Sequence, residues 1–331
     1  MRSIDIHAHH TPQRFFRAAD SGKDWHGIRL ERDARGREFG VSGKHRFHIH
    51  PHNRWNVEQR LTDMDSLGVD IHVVSGSPQL YNYQLPAEVA LATSRDINDE
   101  ISEMAKAYPQ RLAGLAHIPM QDVKEAIAEM ERAVGKLGFK GVMIGDHVNG
   151  KTYDEPEFLP FFQAAERTGA IVFFHQGGET IVGKRIPRYH LLNTVGNPVE
   201  RAITFASLVF GGVMDKCPNL KVCLAHGGGY VCYGVGRMDR GWQVRPEARI
   251  HISQPPSKYL RRFYYDCLTQ GEAALRFLID QVGVDRVVFG TDWPADMAID
   301  WPVSWVLGLA SLTEDEKERI LYKNLEELLG L

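Results

Sequence analysis

The sequence predicts an α/β fold, a (β/α)8 TIM barrel with an insertion after the first strand. Three observations support this fold class. Short apolar, β-rich segments recur eight times, segments with helical spacing separate them, and histidine or aspartate lies at the end of most of the apolar segments. Strands that alternate with helices imply βα units and a parallel sheet, and eight units suit a closed barrel of ~250 residues.

Each predicted strand is a run of four to six residues. The strands span 3–6, 71–75, 112–117, 141–144, 171–174, 221–225, 262–265 and 287–290. Between them, apolar residues recur at steps of three and four, as in Ile127, Met130, Val134 and Leu137. Further helices are predicted over about 57–67, 87–107, 156–168, 198–214, 272–282 and 314–329. The last one opens with Thr313 and Glu316, at the spacing of a capping box.

The chain of 331 residues is longer than a typical barrel, mainly because of one segment between the first strand and its helix. This insertion, at about 13–54, is polar and rich in glycine and arginine, and we expect it to form a flap or hairpin. We find no internal repeat and no Pro/Ser-rich linker in the sequence. The sequence therefore predicts a single domain over 1–331.

Composition and charge exclude several classes of protein. Lysine and arginine total 39 against 42 acidic residues, so the net charge of −3 argues against nucleic acid as a partner. No apolar run approaches the ~18 residues of a membrane span, and the start of the chain lacks a secretory leader pattern. The four cysteines form no C-x-x-C pair, which indicates reduced thiols. We expect a soluble, cytoplasmic protein.

Reactive side chains occur at the ends of six of the eight predicted strands. They are the pair His7-Ala8-His9, then His117, His175, His226, Asp266 and Asp292. In barrels of this kind, catalytic residues lie at the carboxyl ends of the strands. The pattern therefore predicts one active site that is assembled from several strands.

Residues His7 and His9 are the most specific element of this pattern. Alternate residues of a strand project to the same face about 6–7 Å apart, which suits two imidazoles that bind one cation. An isolated H-x-H is more often a pair of satisfied histidines, and Asp292 alone could cap a helix. Together with His175 and Asp292, however, the set suits Zn²⁺ or a similar divalent ion.

His226 opens the motif His226-Gly227-Gly228-Gly229, in which the glycines permit close approach of the backbone to a ligand. A tight turn would explain the glycines but would not explain His226, so we predict a catalytic or metal-binding role for this residue.

Other residues have two open interpretations. His117 and Asp266 either orient a metal ligand or are simply paired barrel residues. The alternating strip His48-x-His50-x-His52 either chelates a metal or lies on an exposed hairpin. Arg237 either binds a substrate carboxylate or is a solvated helix residue.

The strand-end motifs D-I-H-A-H, F-F-H, A-H-G-G-G and G-T-D-W-P resemble those of the amidohydrolase superfamily. More narrowly, the chain is similar to the branch of aminocarboxymuconate semialdehyde decarboxylase and its relatives. The resemblance covers nearly the whole chain, including Pro109-Gln110-Arg111, Gly236-Arg237-Met238-Asp239 and Pro255-Pro256-Ser257.

This resemblance implies one divalent ion, most often Zn²⁺ with Mn²⁺ and Co²⁺ as alternatives, bound by His7, His9, His175 and Asp292. His226 and Asp292 would be the catalytic residues. Arg237 would bind a substrate carboxylate, and in a homodimer it would reach into the site of the neighbouring subunit to do so. Strand four has no lysine at its end, so a site with one metal is favoured over one with two.

Two departures from the branch concern substrate recognition. An arginine that helps to bind substrate in the named decarboxylase aligns with His48, although Arg46 is nearby. An aromatic residue that often follows the proline of G-T-D-W-P is here Ala295. We therefore expect substrate contacts of this chain to differ from those of the named enzyme.

The resemblance and the residues together predict a metal-dependent, non-oxidative decarboxylase of an unsaturated or aromatic carboxylic acid. Such a substrate would be similar to aminocarboxymuconate semialdehyde or to a hydroxybenzoate. An alternative is a hydrolase of a lactone or amide, or a hydratase, because these reactions also use a metal-activated water. A metal-binding scaffold protein without activity is a further alternative.

Overall fold

The computed structural model describes residues 1–185 and 187–331. Eight parallel strands form the central sheet, and they lie side by side in the order in which they occur along the chain. The sheet closes because the amide of Ile6 donates to the carbonyl of Phe289, and the amide of His9 donates to the carbonyl of Trp293. The predicted (β/α)8 barrel is confirmed.

The eleven strands have the following bounds: β1 Ile4–His10, β2 Arg29–Arg32, β3 Glu38–Ser42, β4 His45–Ile49, β5 Ile71–Gly76, β6 Leu112–Ala116, β7 Gly141–Ile144, β8 Ile171–Phe174, β9 Lys221–Leu224, β10 Phe263–Asp266 and β11 Val287–Val288. Every predicted strand overlaps one of these. The first strand runs longer than predicted, so His7 and His9 lie inside it. The last strand is shorter than predicted, because the segment after Val288 makes only isolated hydrogen bonds to β1.

The α-helices have the following bounds: α1 Gln13–Asp20, α2 Val57–Leu67, α3 Ala87–Ala107, α4 Val123–Leu137, α5 Leu159–Thr168, α6 Asn197–Phe210, α7 Val213–Lys216, α8 Val231–Val244, α9 Glu272–Val282, α10 Pro302–Gly308, α11 Glu314–Glu318 and α12 Asn324–Leu329. The helix predicted over 198–214 is divided where Gly212 adopts a φ of +71°. The capping box of Thr313 and Glu316 is present at the start of α11.

Apolar side chains fill the barrel and the layer between its strands and helices. Val142, Val172 and Val222 occupy adjacent strands and are fully buried, as are Phe162 and Phe205 on the surrounding helices. Burial of this apolar surface is the main term that stabilises such a fold. In the described ranges, no helix combines the length and apolar composition that crossing a bilayer requires.

The insertion is more elaborate than the expected flap or hairpin. It consists of α1 followed by a separate three-stranded antiparallel sheet in the order β2-β3-β4. Phe47 and Ile49 bury their side chains, while their neighbours Arg46 and His48 are exposed, as expected for a sheet with one buried face. At the β3–β4 turn, His45 packs so closely on Gly178 that an added Cβ there would lie 2.7 Å from His45 Cε1. The insertion therefore reaches the loop that follows β8.

Candidate active site

Four of the predicted strand-end residues form one buried cluster. His7 and His9 project from β1, His175 directly follows β8, and Asp292 follows β11. One nitrogen or oxygen atom from each residue lies within 4.8 Å of those of the other three, and all four residues are buried. Barrel closure produces this cluster, since the amide of Asp292 donates to the carbonyl of His7 at 2.8 Å.

Each histidine of the cluster is oriented by a partner at Nδ1. These contacts are His7 to Asp266 Oδ2 at 2.7 Å, His9 to Ser75 Oγ at 3.2 Å and His175 to the carbonyl of Gln176 at 3.0 Å. The Nε2 atoms consequently face Asp292 Oδ1, at 3.2 Å for His7, 3.1 Å for His9 and 3.7 Å for His175. Partners of this kind hold metal-ligating imidazoles in one tautomer and one orientation.

The described residues fit a divalent metal ion. Nε2 of His7 and Nε2 of His175 are buried and have no hydrogen-bond partner, although they face a carboxylate. Unpartnered polar atoms are costly in a protein interior, and a cation among the three nitrogens and the carboxylate would satisfy them. Three histidines and one carboxylate are a common donor set for Zn²⁺ and similar ions.

The protonation states of the histidines in the cluster also support a bound divalent metal ion. Burial lowers the pKa of His175 to about 3 and also lowers the pKa of His9, so both remain neutral and can bind a metal. Burial alone would lower the pKa of His7 as well, but attraction to Asp292 and Asp266 raises it to about 10. A bound cation would replace the proton that these carboxylates otherwise attract.

His226 lies beside the cluster rather than within it. Its Nε2 is 3.7 Å from Asp292 Oδ2, and its side chain is 15% exposed, more than those of the four clustered residues. His226 itself has a φ of +57°, and the three glycines after it also adopt positive φ. A Cβ added to Gly229 would lie 2.4 Å from the carbonyl oxygen of Pro198. The glycines thus allow a tight turn that places His226 at the edge of the cluster.

Asp266 and His117, the two strand-end residues whose sequence allowed either a metal-orienting or a purely structural role, differ in their contacts. Asp266 accepts from the amide of Gly227 at 2.8 Å through Oδ1 while Oδ2 contacts His7, so it orients a member of the cluster. His117 instead contacts Ser94 Oγ through Nδ1 at 3.1 Å, away from the cluster. Burial lowers the pKa of His117 to about 3, as expected for a neutral barrel residue.

A cavity of about 640 Å³ opens beside His226 and Asp292. Its walls come from the start of α6, the start of α8, the loop after β10 and α9, and they are mostly apolar. Leu268, Phe277 and Leu278 are among the apolar residues that line it. The volume is within the usual range for sites that bind small molecules.

The predicted substrate-binding residues lie outside this cavity in the single chain. Arg237 is exposed on α8, one turn after Tyr233, which does line the cavity. His48 is exposed on β4, where its ring centroid is 5.4 Å from that of Phe39. Arg46 also packs over Phe39, with its Cζ 3.4 Å from the ring centroid.

In the strip of His48, His50 and His52, His48 lies on the exposed face of β4, and His50 and His52 follow the end of that strand. Across the part of the chain that the structure describes, the strand-end cluster is the one group of three or more ligands with metal-binding geometry. The chelating interpretation of the strip therefore gains no support, and the strip is a surface feature.

Two residues near the site, Ser75 and Asn197, were not predicted from the sequence. Ser75 orients His9 from the end of a predicted strand, but the pattern that we followed considered only histidine and aspartate. Asn197 lines the cavity from the start of α6, where its neighbour Pro198 marks the first turn of a helix but gives no sign of a binding role.

Comparisons with a family model and with a curated protein relate this chain to the same group of proteins. A family model described as amidohydrolase matches residues 4–331. The chain is 36% identical to 2-amino-3-carboxymuconate-6-semialdehyde decarboxylase of Dictyostelium discoideum, over 84% of this chain and 78% of that protein.

Solved structures share the fold of this chain. The 5-carboxyvanillate decarboxylase of Sphingomonas paucimobilis is 27% identical, with a TM-score of 0.82 over 100% of this chain and 99% of that one. A dihydroxybenzoic acid decarboxylase from Polaromonas sp. JS666, solved with bound manganese, shares the fold with a TM-score of 0.81 and 24% identity, over 100% of this chain and 97% of that one. The chain belongs to the amidohydrolase family, in the branch that contains the aminocarboxymuconate semialdehyde decarboxylases.

Proposed function

We propose that this protein is a metal-dependent, non-oxidative decarboxylase of an unsaturated or aromatic carboxylic acid. The observation that carries the proposal is the position of His226, whose Nε2 lies 3.7 Å from Asp292 Oδ2 at the junction of the buried cluster and the cavity. The imidazole of His226 is thereby available to a small acid in the cavity. Relatives named as decarboxylases, including the Dictyostelium enzyme, support the same reaction class.

We assign His7, His9, His175 and Asp292 as the ligands of one divalent ion. The three imidazoles and one carboxylate favour Zn²⁺, with Mn²⁺ and Co²⁺ as alternatives that metal analysis would distinguish. When bound, such an ion supplies Lewis acidity toward substrate oxygens and lowers the pKa of a coordinated water.

Residues of the chain would carry out the proton transfer. In the reaction the bond between the carboxylate carbon and the substrate breaks, its electron pair stays on the substrate carbon, and CO₂ leaves. His226 delivers a proton to that carbon, since histidine is the most common general acid in such steps. Asp292 Oδ2 lies 3.7 Å from His226 Nε2, so this carboxylate is beside the proton donor at the cavity.

We further propose that Arg237 and His48 contact the substrate in the assembled protein. Both side chains are exposed, and Tyr233, which is 86% exposed, lies on the same face of α8 as Arg237. A homodimer that covers this face would bring Arg237 toward the cavity of the neighbouring subunit. Sedimentation analysis of the wild type and kinetics of Arg237→Ala test this, because the loss of a carboxylate contact should raise KM at least tenfold.

The insertion at 13–54 and the location of the protein complete the proposal. His45 contacts the loop after β8, which supports a single domain in which the insertion acts as a flap over the site. All four cysteines are buried free thiols, which supports a cytoplasmic location, where thiols stay reduced. Limited proteolysis with and without substrate would test the flap, since closure should protect 13–54.

The central experiment combines metal analysis with a substrate screen. Purified protein is analysed for bound metal and then assayed against muconate-type acids and hydroxybenzoates by ultraviolet absorbance and CO₂ release. Release of CO₂ in step with loss of substrate supports the proposal. Acid formation from a panel of lactones and amides, or hydration of a double bond, would instead support the alternative activities. Stoichiometric metal without turnover of either panel would indicate a binding protein.

A further inference from the structure

Arg60 is a buried arginine on α2 that has no part in the proposed ligand set or in the proton transfer. It is 4% exposed. Its Nη2 donates to the carbonyl of His9 at 2.6 Å, its Nη1 donates to His72 Nδ1 at 3.3 Å, and its Cζ lies 4.2 Å from the ring centroid of Trp293. Burial lowers the pKa of Arg60 to about 9, so the position is unfavourable for a charge. An apolar side chain could fill this space at less cost, which indicates that the guanidinium has a specific task.

The carboxylates that attract Arg60 are engaged with other groups. Asp5 and Asp63 act on the guanidinium through space and not through a hydrogen bond. Asp5 Oδ2 accepts from Thr291 Oγ1 at 2.6 Å, and Asp63 Oδ2 accepts from Trp293 Nε1 at 2.6 Å. A direct ion pair with either carboxylate therefore does not explain why Arg60 is buried here.

The contacts of Arg60 join the two chain segments that carry His9 and Asp292. His9 lies on β1, and Trp293 directly follows Asp292. The segments are bonded to each other, since the amide of His9 donates to the carbonyl of Trp293 at 2.7 Å. Arg60 bonds to the carbonyl of His9 and covers the ring of Trp293. Asp63, one turn further along α2, holds the edge of the same ring. Helix α2 thus fixes the junction of the two segments.

Asp292 has a backbone conformation that needs such support. Its φ of +66° lies in the left-handed region, which is unfavourable for a residue with a side chain. A conformation of this kind persists only where the surrounding structure holds it. The amide of Asp292 is held by the carbonyl of His7, and the next residue, Trp293, is held by Arg60 and Asp63. Loss of Arg60 would therefore loosen the carboxyl side of Asp292.

We propose that Arg60 is a positioning residue that holds His9 and Asp292 in the arrangement that binds the metal ion. This inference rests on the ligand set of the proposed function and adds a residue that acts on its geometry through the backbone. A guanidinium suits the task because its planar face packs on an indole ring while its N–H groups donate to a carbonyl.

The charge of Arg60 and its contacts have opposite effects on metal affinity. A cation close to the site repels a divalent ion, so removal of the charge alone would strengthen binding. Loss of the contacts would weaken binding, because ligands that lose their supporting partners no longer keep their orientation. Asp5 and Asp63 offset the charge, so we expect the loss of contacts to dominate.

The test measures binding of Zn²⁺ and Co²⁺ to metal-free protein. Arg60→Met keeps a long side chain and should lower the affinity for both ions about 10- to 100-fold in competition with a chelator. The visible absorption of bound Co²⁺ depends on the arrangement of its ligands and should also change. Arg60→Lys keeps the charge but lacks the planar face, so its Co²⁺ spectrum should differ from that of the wild type. This second variant decides the question if Arg60→Met does not fold.

Arg111→Met is the matched control. Arg111 also donates to backbone carbonyls near α2, to that of Asp70 at 2.7 Å and to that of Val69 at 3.3 Å. These carbonyls precede β5, at the opposite end of the barrel strands from the proposed ligands. The control should lose stability in urea but keep the metal affinity and the Co²⁺ spectrum of the wild type.

Two results would overturn the inference. Tighter metal binding in Arg60→Met would show that the charge alone matters. Wild-type affinity and spectrum in the variants of Arg60, or equal losses of affinity in Arg60→Met and Arg111→Met, would show a role in packing alone. None of these measurements uses turnover. If the protein decarboxylates no acid, the proposed function fails, and the affinities still decide the role of Arg60.

Discussion

At the scale of single residues, the site depends on histidines that differ in what surrounds them. His7, His9 and His175 have one nitrogen held by a partner and the other directed at Asp292. His226 remains partly exposed at the cavity and has no partner at Nδ1, which is buried. His117 is also buried at a strand end, but it bonds to Ser94 and stays apart from the cluster. Residue type and strand position alone could not separate these three situations.

Replacement of His226 by alanine should separate metal binding from catalysis. We expect His226→Ala to retain one metal ion per chain, because the four proposed ligands keep their partners. Turnover should fall about 10²- to 10⁴-fold, the usual contribution of a general acid. Elemental analysis and CO₂ release measure the two quantities. Full activity in the variant would exclude the proposed role.

Replacement of Asp266 by asparagine should weaken the metal site without removing a ligand. Asp266 holds Nδ1 of His7 at 2.7 Å, and loss of such a partner typically lowers metal affinity about 10- to 100-fold. Competition with a chelator measures this affinity. His117→Gln provides the comparison, since His117 makes no contact with the cluster and the variant should bind metal as the wild type does. Equal affinities in Asp266→Asn and wild type would contradict the prediction.

At the scale of elements, the strands and the larger helices were predictable, and their junctions were not. The apolar runs identify all eight barrel strands because buried parallel strands are nearly continuous in hydrophobicity. No bounds were predicted for helix α8, although one interpretation of Arg237 placed it on a helix, because the glycines at 234, 236 and 241 weaken the helical pattern. The flap or hairpin predicted for the insertion is a hairpin of β3 and β4 extended by a third strand, β2, and strands this short give little sequence pattern. Residues on these elements, such as Arg237 and His48, are therefore the ones whose roles the sequence predicts least securely.

The turn after β9 gives a test at this scale. Gly229 has a φ of +58°, and an added Cβ would lie 2.4 Å from the Pro198 carbonyl oxygen. Gly229→Ala should therefore lower the free energy of unfolding by at least about 1–3 kcal/mol and displace His226. The matched variant Gly234→Ala lies on α8 with no atom within 4 Å of the added Cβ, and it should stabilise the helix by up to about 1 kcal/mol. Urea denaturation measures both changes. Similar stabilities for the two variants would show that the turn can rearrange.

At the scale of the whole molecule, burial of ionisable groups makes stability depend on pH. Burial lowers the pKa of His117 to about 3, whereas an unfolded histidine has a pKa near 6.5. Between these values the unfolded chain binds a proton that the folded chain does not. Folding stability therefore falls as the pH decreases through this window.

His117→Gln should remove this part of the acid sensitivity. Between pH 7 and pH 4.5 we expect the wild type to lose roughly 2 kcal/mol more of its unfolding free energy than the variant. Urea denaturation at the two pH values, with a chelator present in all samples, excludes differences in metal release. Equal losses in the two proteins would mean that His117 is not kept neutral by the fold.

The hydrogen bonds that close the barrel, between β1 and the segment that follows β11, have a consequence for synthesis of the protein. His7 and His9 emerge from the ribosome long before Asp292, whose amide donates to the His7 carbonyl. The proposed ligand set can assemble only after Asp292 has been made. Any product that terminates before residue 292 would lack one proposed ligand, and we expect it to bind the ion more weakly. Ion binding would thus report that translation has passed residue 292.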